Sequence, residues 1–179
     1  MCKLLLLLLS LPLLAQSQTV SEVHFIPIDS IYLVVLNGET LVNNKTGKEY
    51  LGVEANTTYY ASSRMDGNPA RKKTKVSFSF RSFKTFTVVS GDELLVTFID
   101  GSTGLYKNKA LKMPVDSGNT ASIDFTLPMD DKLSKVAIKH VEVKTSQVDY
   151  HYDIPLDKSD MLLKELKLIE DTLKKQLAN

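Results

Sequence analysis

The sequence contains a single cysteine, Cys2, and no tryptophan. Because Cys2 lies at the extreme N-terminus, the rest of the chain has no thiol with which to form a disulfide framework. A structural zinc site built from several cysteines is excluded for the same reason. The stability of the folded domain must therefore come from its hydrophobic core and not from disulfide bonds.

The chain also has almost no net charge, since 22 lysines and arginines balance 21 acids and leave a formal charge of +1. A protein without a strong positive field lacks the electrostatic character of nucleic-acid binding, so we expect no nucleic-acid partner. The absence of tryptophan weakens a carbohydrate-binding interpretation based on ring stacking, without excluding it.

The local motifs of several common enzyme classes are missing as well. The sequence contains no Gly-x-Ser-x-Gly nucleophile elbow, no Gly-x-Gly-x-x-Gly dinucleotide fingerprint and no lysine-terminated phosphate loop. We therefore expect neither enzyme activity nor a bound cofactor.

The longest hydrophobic run lies at the N-terminus. Lys3 precedes an apolar stretch from Leu4 to Ala15, and Ala15 and Ser17 supply small side chains at its end. This order is typical of a secretory signal peptide, and the run is shorter than the roughly 20 residues that span a bilayer. We expect cleavage of residues 1–17 and export to the periplasm or the extracellular space. The mature chain, 18–179, is then a single domain without a transmembrane segment.

The body of the chain shows the periodicity of β-strands. Val76, Phe78 and Phe80 alternate with serines, as the side chains of half-buried strands do. About ten such short runs are separated by turn residues, and Asn37-Gly38 is predicted to form a two-residue hairpin turn. This pattern predicts an antiparallel β-sandwich or a partly open barrel.

The period changes at the C-terminal end, where one amphipathic helix is predicted over about 159–178. Apolar residues recur there every three or four positions, with lysines and glutamates between them. The apolar positions are Leu162, Leu163, Leu166, Ile169, Leu173 and Leu177. This stripe either packs on the sheet or is offered to a partner or a membrane surface.

The last two predicted strands bring acids and histidines together. If Thr145-Ser146 is a two-residue turn, His140 faces His151 and Glu142 faces Asp149 across the hairpin. Imidazole and carboxylate groups at cross-strand distance can bind Zn²⁺ or transfer protons. The alternative is an ordinary solvated face.

The candidate metal ligands are His140, His151, Glu142 and Asp149, with Asp153 as an additional candidate. Val136 and Ile138 have the opposite parity to Val141 and Val143, which predicts a β-bulge near residues 139–140. Such a bulge could change the direction of the His140 side chain.

A second candidate site is a basic run consisting of Arg71, Lys72, Lys73 and Lys75. These residues could contact an anionic ligand. Because they follow a polar, glycine- and proline-containing segment, the alternative is that they belong to an ordinary solvated loop, predicted from Ser63 to Lys73.

Three functions remain open. The first is an exported, non-enzymatic β-sandwich that acts by binding or structural association with an unknown protein or glycan. The second is a metal-dependent enzyme or metal-binding protein centred on the His140/His151 hairpin. The third is an interaction protein that uses its C-terminal helix.

The predicted signal peptide can be tested directly. Expression of the full chain in a host with an export pathway should yield a secreted or periplasmic product whose first residue is Gln18, because the cut follows Ser17. Mass spectrometry of the intact product checks this expectation. A retained protein that still carries residues 1–17 would contradict it.

Overall fold

A computed structural model of the protein describes residues 20–26, 31–44, 49–61, 70–128 and 130–178. The predicted signal peptide, residues 1–17, and most of the predicted loop, residues 63–69, lie outside the described residues.

The strands are β1 (Val20–Ile26), β2 (Ile31–Leu36), β3 (Glu39–Asn43), β4 (Tyr50–Tyr60), β5 (Arg71–Arg81), β6 (Phe86–Val88), β7 (Glu93–Phe98), β8 (Thr103–Lys107), β9 (Met113–Val115), β10 (Thr120–Thr126), β11 (Ile138–Lys144) and β12 (Asp149–Asp153). Short 3₁₀ helices at Lys132–Ser134 and Leu156–Lys158 flank the last hairpin, and one α-helix, α1 (Met161–Ala178), follows.

The larger sheet has the strand order β1-β2-β4-β5-β10, with β3 also paired to β4. Its strands pair antiparallel, and its alternating residues divide between two faces. On the inner face Phe78 lies between Val53 of β4 and Ile123 of β10, and all three side chains are buried. Serines at the alternate positions of β5 take the outer face, as the sequence pattern predicts.

A second antiparallel sheet has the order β12-β11-β7-β8, and β6 and β9 form a separate short pair that contacts β10 of the larger sheet. The inner faces of the two large sheets share one hydrophobic core. The ring centroids of Phe80 and Tyr150 are 5.4 Å apart, and those of Tyr106 and Phe125 are 4.6 Å apart, so aromatic contacts join the sheets at two places. The predicted mainly β, antiparallel sandwich with one C-terminal helix is confirmed.

The predicted hairpin at Asn37-Gly38 is wrong. Strands β2 and β3 both pair with β4, β2 along its second half and β3 along its first. The chain therefore continues in one direction through Asn37-Gly38, because the 11 residues of β4 are long enough to pair with both segments. Positive φ angles occur instead at Gly91, Gly101 and Gly118, where the sequence pattern predicts turns.

Helix α1 packs across β2 and β4 and covers the part of the inner face that the second sheet leaves open. Its buried apolar residues, Leu162, Ile169 and Leu173, belong to the common core. Leu177, at the end of the predicted stripe, is 45% exposed. Of the helices within the described ranges, none has the length and hydrophobicity that crossing a bilayer requires.

The same buried side of α1 carries a carboxyl group. Glu165 is fully buried, and neither of its carboxyl oxygens hydrogen-bonds to a described residue. Burial, reinforced by the negative charges of Glu39 and Glu54, raises the pKa of Glu165 to about 9, and the Ala55 backbone offsets this shift only in part. The protonated acid is therefore the form that the helix–sheet contact accommodates.

The protein should accordingly lose stability as the pH rises through neutrality. Below about 4.5, the ordinary pKa of Glu165, both the folded and the unfolded chain hold the proton. Between pH 4.5 and about pH 9, Glu165 is ionised in the unfolded chain but protonated in the folded chain. Each pH unit in this range therefore lowers the free energy of unfolding by up to about 1.4 kcal/mol. Glu165→Gln removes this contribution, so its stability advantage over the wild type should grow by about 2–4 kcal/mol from pH 5 to pH 8.

Urea unfolding of both proteins at several pH values measures the difference. Since the two chains share every other titratable group, their pH profiles differ only through Glu165. Parallel profiles would contradict the assignment of a buried, protonated carboxyl.

Phe78 is fully buried at the centre of the inner face. Phe78→Ala should lower the free energy of unfolding by about 3–5 kcal/mol, because the cavity lies at the centre of the inner face. Phe83, which is 49% exposed, provides the matched control, and Phe83→Ala should have a much smaller effect. Chemical denaturation of the two variants tests the pair, and equal losses would show that the core is misassigned.

Candidate functional site

The register of the β11–β12 hairpin decides which polar side chains meet. Thr145 pairs with Val148, with 3.0 Å between Thr145 N and Val148 O, so the two turn residues are Ser146 and Gln147. The Thr145 hydroxyl oxygen also accepts hydrogen bonds from the backbone N–H groups of Gln147 and Val148 and so reinforces this turn. The predicted Thr145-Ser146 turn is wrong because it omits this closing pair.

The observed register of the hairpin differs from the predicted register by two residues. Glu142 lies opposite His151, His140 lies opposite Asp153, and Lys144 lies opposite Asp149. Because side chains alternate with a period of two, a shift of two changes the partners and keeps every side chain on its predicted face. The outward face of the second sheet therefore still carries the predicted polar residues.

A β-bulge sets the direction of His140. The pairing of β11 with β7 shifts register between Ile138 and His140, as the parity of the sequence predicts. Ile138 and Val141 are both buried in spite of their odd spacing. His140 and Glu142 consequently point to the same outward face.

Three of the predicted ligands form one cluster. One donor atom from each of His140, Glu142 and His151 can be chosen so that all three lie within 4.8 Å of one another. His140 Nε2 is 3.8 Å from Glu142 Oε1, and His151 Nδ1 is 3.9 Å from Glu142 Oε2. Two ligands of a tetrahedral zinc ion are roughly 3.3 Å apart, so the group needs only a small contraction to bind one ion.

Asp153 acts on this cluster through His140. His140 Nδ1 lies 2.7 Å from Asp153 Oδ1, at hydrogen-bond distance, while the other ring nitrogen faces Glu142. A carboxylate that accepts the Nδ1 proton leaves the lone pair on Nε2, the arrangement commonly found around metal-binding histidines. Asp153 therefore positions a ligand and is not itself a member of the three-ligand group.

Glu142 is at the centre of the cluster and is held in its charged form. Lys144 Nζ lies 3.1 Å from Glu142 Oε2, and this ammonium lowers the pKa of Glu142. Burial opposes this shift and is the second-largest effect, but with the further contributions of His151 and His140 the pKa stays lowered. A carboxylate flanked by two imidazoles is available as a ligand at neutral pH.

Asp149, the fourth predicted ligand, is not brought into this group. It is exposed and lies opposite Lys144, two pairs closer to the turn than Glu142 and His151. The prediction that Asp149 faces Glu142 fails because it depends on the incorrect turn. Asp149 nevertheless remains on the same face, two residues from His151.

The basic run lies on a strand and not in a loop. Arg71, Lys72, Lys73 and Lys75 occupy the first half of β5 and are exposed. Because side chains alternate along a strand, Lys72 shares the face of buried Thr74, and the other three take the opposite face. The run is thus not a single cationic patch, and Arg71 covers the ring of Tyr60 with 4.6 Å between guanidinium carbon and ring centroid.

Two features of the site could not be obtained from the sequence pattern. The positioning role of Asp153 and the ion pair of Lys144 with Glu142 depend on the observed register and on side-chain geometry. Comparison with protein-family models, with curated proteins and with solved structures gave no match.

Proposed function

We propose that this protein is an exported, non-enzymatic binding protein that takes up one divalent transition-metal ion on the outward face of β11 and β12. The ligands are His140, Glu142 and His151. The observation that carries the proposal is the convergence of two imidazole nitrogens and one charged carboxylate within 4.8 Å of one another.

The donor set favours zinc or a similar ion over calcium or magnesium. Imidazole nitrogen suits Zn²⁺, Cu²⁺ and Ni²⁺, whereas Ca²⁺ and Mg²⁺ take oxygen ligands almost entirely. Histidine and glutamate ligands are also insensitive to the oxidation that affects thiolates, which suits the exported location expected from the N-terminal sequence. Three protein ligands leave a coordination position for water or for a group from a partner.

Binding is favoured over catalysis by the openness of the site. His151 is 59% exposed, His140 and Glu142 are 24% and 23% exposed, and all three lie on the outer face of a sheet. Enzyme sites usually enclose the reacting groups and exclude water from them. A metal-dependent hydrolase is the second candidate, because three ligands with one open position is also the pattern of catalytic zinc.

A role for α1 in binding a partner has less support. Its principal apolar residues, Leu162, Ile169 and Leu173, are already buried against the chain's own sheet. Releasing them would expose the core, so this surface is not freely available to another protein.

Metal titration of the mature chain tests the proposal. Isothermal calorimetry with Zn²⁺ should show one equivalent bound, and the bound ion should raise the melting temperature. His140→Ala and His151→Ala should each weaken zinc binding at least about tenfold, since one of three ligands is lost. Without metal, both variants should melt close to the wild type because these side chains lie on the outer face.

Two acidic positions supply the discriminating controls. Asp149→Asn should leave zinc affinity unchanged, since Asp149 lies outside the three-ligand group. Asp153→Asn should weaken binding by about tenfold or more through the lost orientation of His140. Less than about a tenth of an equivalent of zinc on the wild type, or equal losses from the Asp149 and Asp153 variants, would contradict the proposal.

Turnover separates the two candidate functions. The zinc-loaded protein should hydrolyse neither activated esters nor phosphate esters above the rate of the His151→Ala variant. Metal-dependent turnover that disappears in this variant would favour the hydrolase instead.

A further inference from the structure

A cleft lies where α1 meets β4 and β5, and none of the metal ligands lines it. It encloses about 390 Å³, within the range of small-molecule sites. One wall is apolar and comes from the helix, through Leu163, Leu166 and Ile169, and Leu127 after β10 adds to it. Leu163 and Leu166 are only partly buried, so a bound apolar group would remove further surface from water.

The sheet supplies hydroxyl groups to this cleft. Thr57 of β4 and Thr74 of β5 lie opposite each other and line it, and their hydroxyl oxygens are 2.8 Å apart. Their mutual hydrogen bond uses one of the two hydroxyl hydrogens. The other hydrogen has no acceptor among the described residues and is available to an oxygen atom of a ligand.

The charges around the cleft favour an anion. Its two acids are already engaged, because Asp130 lies 3.3 Å from Lys135 Nζ and Glu170 lies 3.2 Å from Lys174 Nζ. Lys72 and Lys167 also line the cleft. Neither of these two lysines forms an ion pair with any residue in the described ranges.

We propose that this cleft binds an amphipathic monoanion, a carboxylate carried on an unbranched alkyl chain. The alkyl chain packs on the leucines and isoleucine of the helix side, and the carboxylate takes the ammonium groups of Lys72 and Lys167. The spare threonine hydroxyl offers a further donor to a carboxylate oxygen. A ligand without the alkyl chain would leave the apolar wall of the cleft exposed to water. A ligand without the negative charge would form no ion pair with Lys72 or Lys167.

This proposal is independent of metal binding. The cleft is lined by the larger sheet, the helix and the segment between β10 and β11, whereas the three metal ligands lie on the outer face of the second sheet. It also separates Lys72 from the other members of the basic run. Only Lys72 shares the face of Thr74 and lines the cleft, while Arg71, Lys73 and Lys75 project from the opposite side of β5.

Calorimetric titration of the mature chain with decanoate, below the concentration at which it forms micelles, tests the proposal. We expect saturable binding of one decanoate per chain. Acetate, which has the charge without the chain, and decyltrimethylammonium, which has the chain with the opposite charge, should each bind at least about tenfold more weakly.

Lysine variants locate the site. Lys72→Gln and Lys167→Gln should each weaken decanoate binding about three- to fivefold, as expected for the loss of an exposed ion pair. Lys73→Gln is the matched control, because it removes the same charge from the adjacent position on the opposite face of β5 and should leave the affinity unchanged. All three side chains are exposed, so the variants should fold as the wild type does, which a circular dichroism melt verifies.

Three outcomes would overturn the proposal: no saturable binding of decanoate, an equal loss in the Lys73→Gln variant, or binding of decyltrimethylammonium as tight as that of decanoate. Zinc titration of the Lys72→Gln variant should match the wild type. A wild type that binds decanoate but not zinc would contradict the metal proposal and leave the proposal for the cleft supported.

Discussion

The inner face of the larger sheet is the constraint on which the rest of the structure depends. Phe78 and Phe80 on β5, together with their neighbours on β4 and β10, form an apolar surface that must be removed from water. The second sheet covers one part of this surface and α1 covers the rest. The inner sides of the second sheet and of α1 are buried in this core. Polar side chains that can bind a ligand therefore lie on the outer faces of the sheets and at the junction between helix and sheet.

The two proposed sites follow from these two locations. On the outer face of the second sheet, cross-strand pairing brings His140, Glu142 and His151 together without disturbing the valines on the inner side of the same strands. At the junction, a helix packed on a sheet does not fill all of the space, and a cleft remains beside Ile169. Glu165 lies on the buried side of the same helix, where burial raises its pKa to about 9 and so favours the protonated acid at neutral pH.

The two sites differ in which contacts fix their geometry. The metal ligands lie on a hairpin whose register is fixed by the bonds of Thr145 and by the buried side chains opposite them, so the cluster is preformed in the folded chain. The cleft depends on the docking of α1, which Glu165 weakens as the pH rises. A ligand in the cleft would contact both helix and sheet, and would stabilise their association.

Sequence alone determined the face of each side chain, because alternation along a strand has a period of two and does not depend on which residue lies opposite. It therefore placed Phe78 inside, put His140, Glu142, His151 and Asp149 on one outer face, and predicted the bulge beside His140. Tertiary structure decided the partners. The pairing of Thr145 with Val148 excluded Asp149 and brought Asp153 to His140, β4 joined β2 and β3 where a turn was predicted, and the docking of α1 created the cleft. The pairing of β4 and the docking of α1 depend on contacts between residues distant in the chain, and the hairpin register depends on side-chain hydrogen bonds of Thr145, neither of which the hydrophobic pattern encodes.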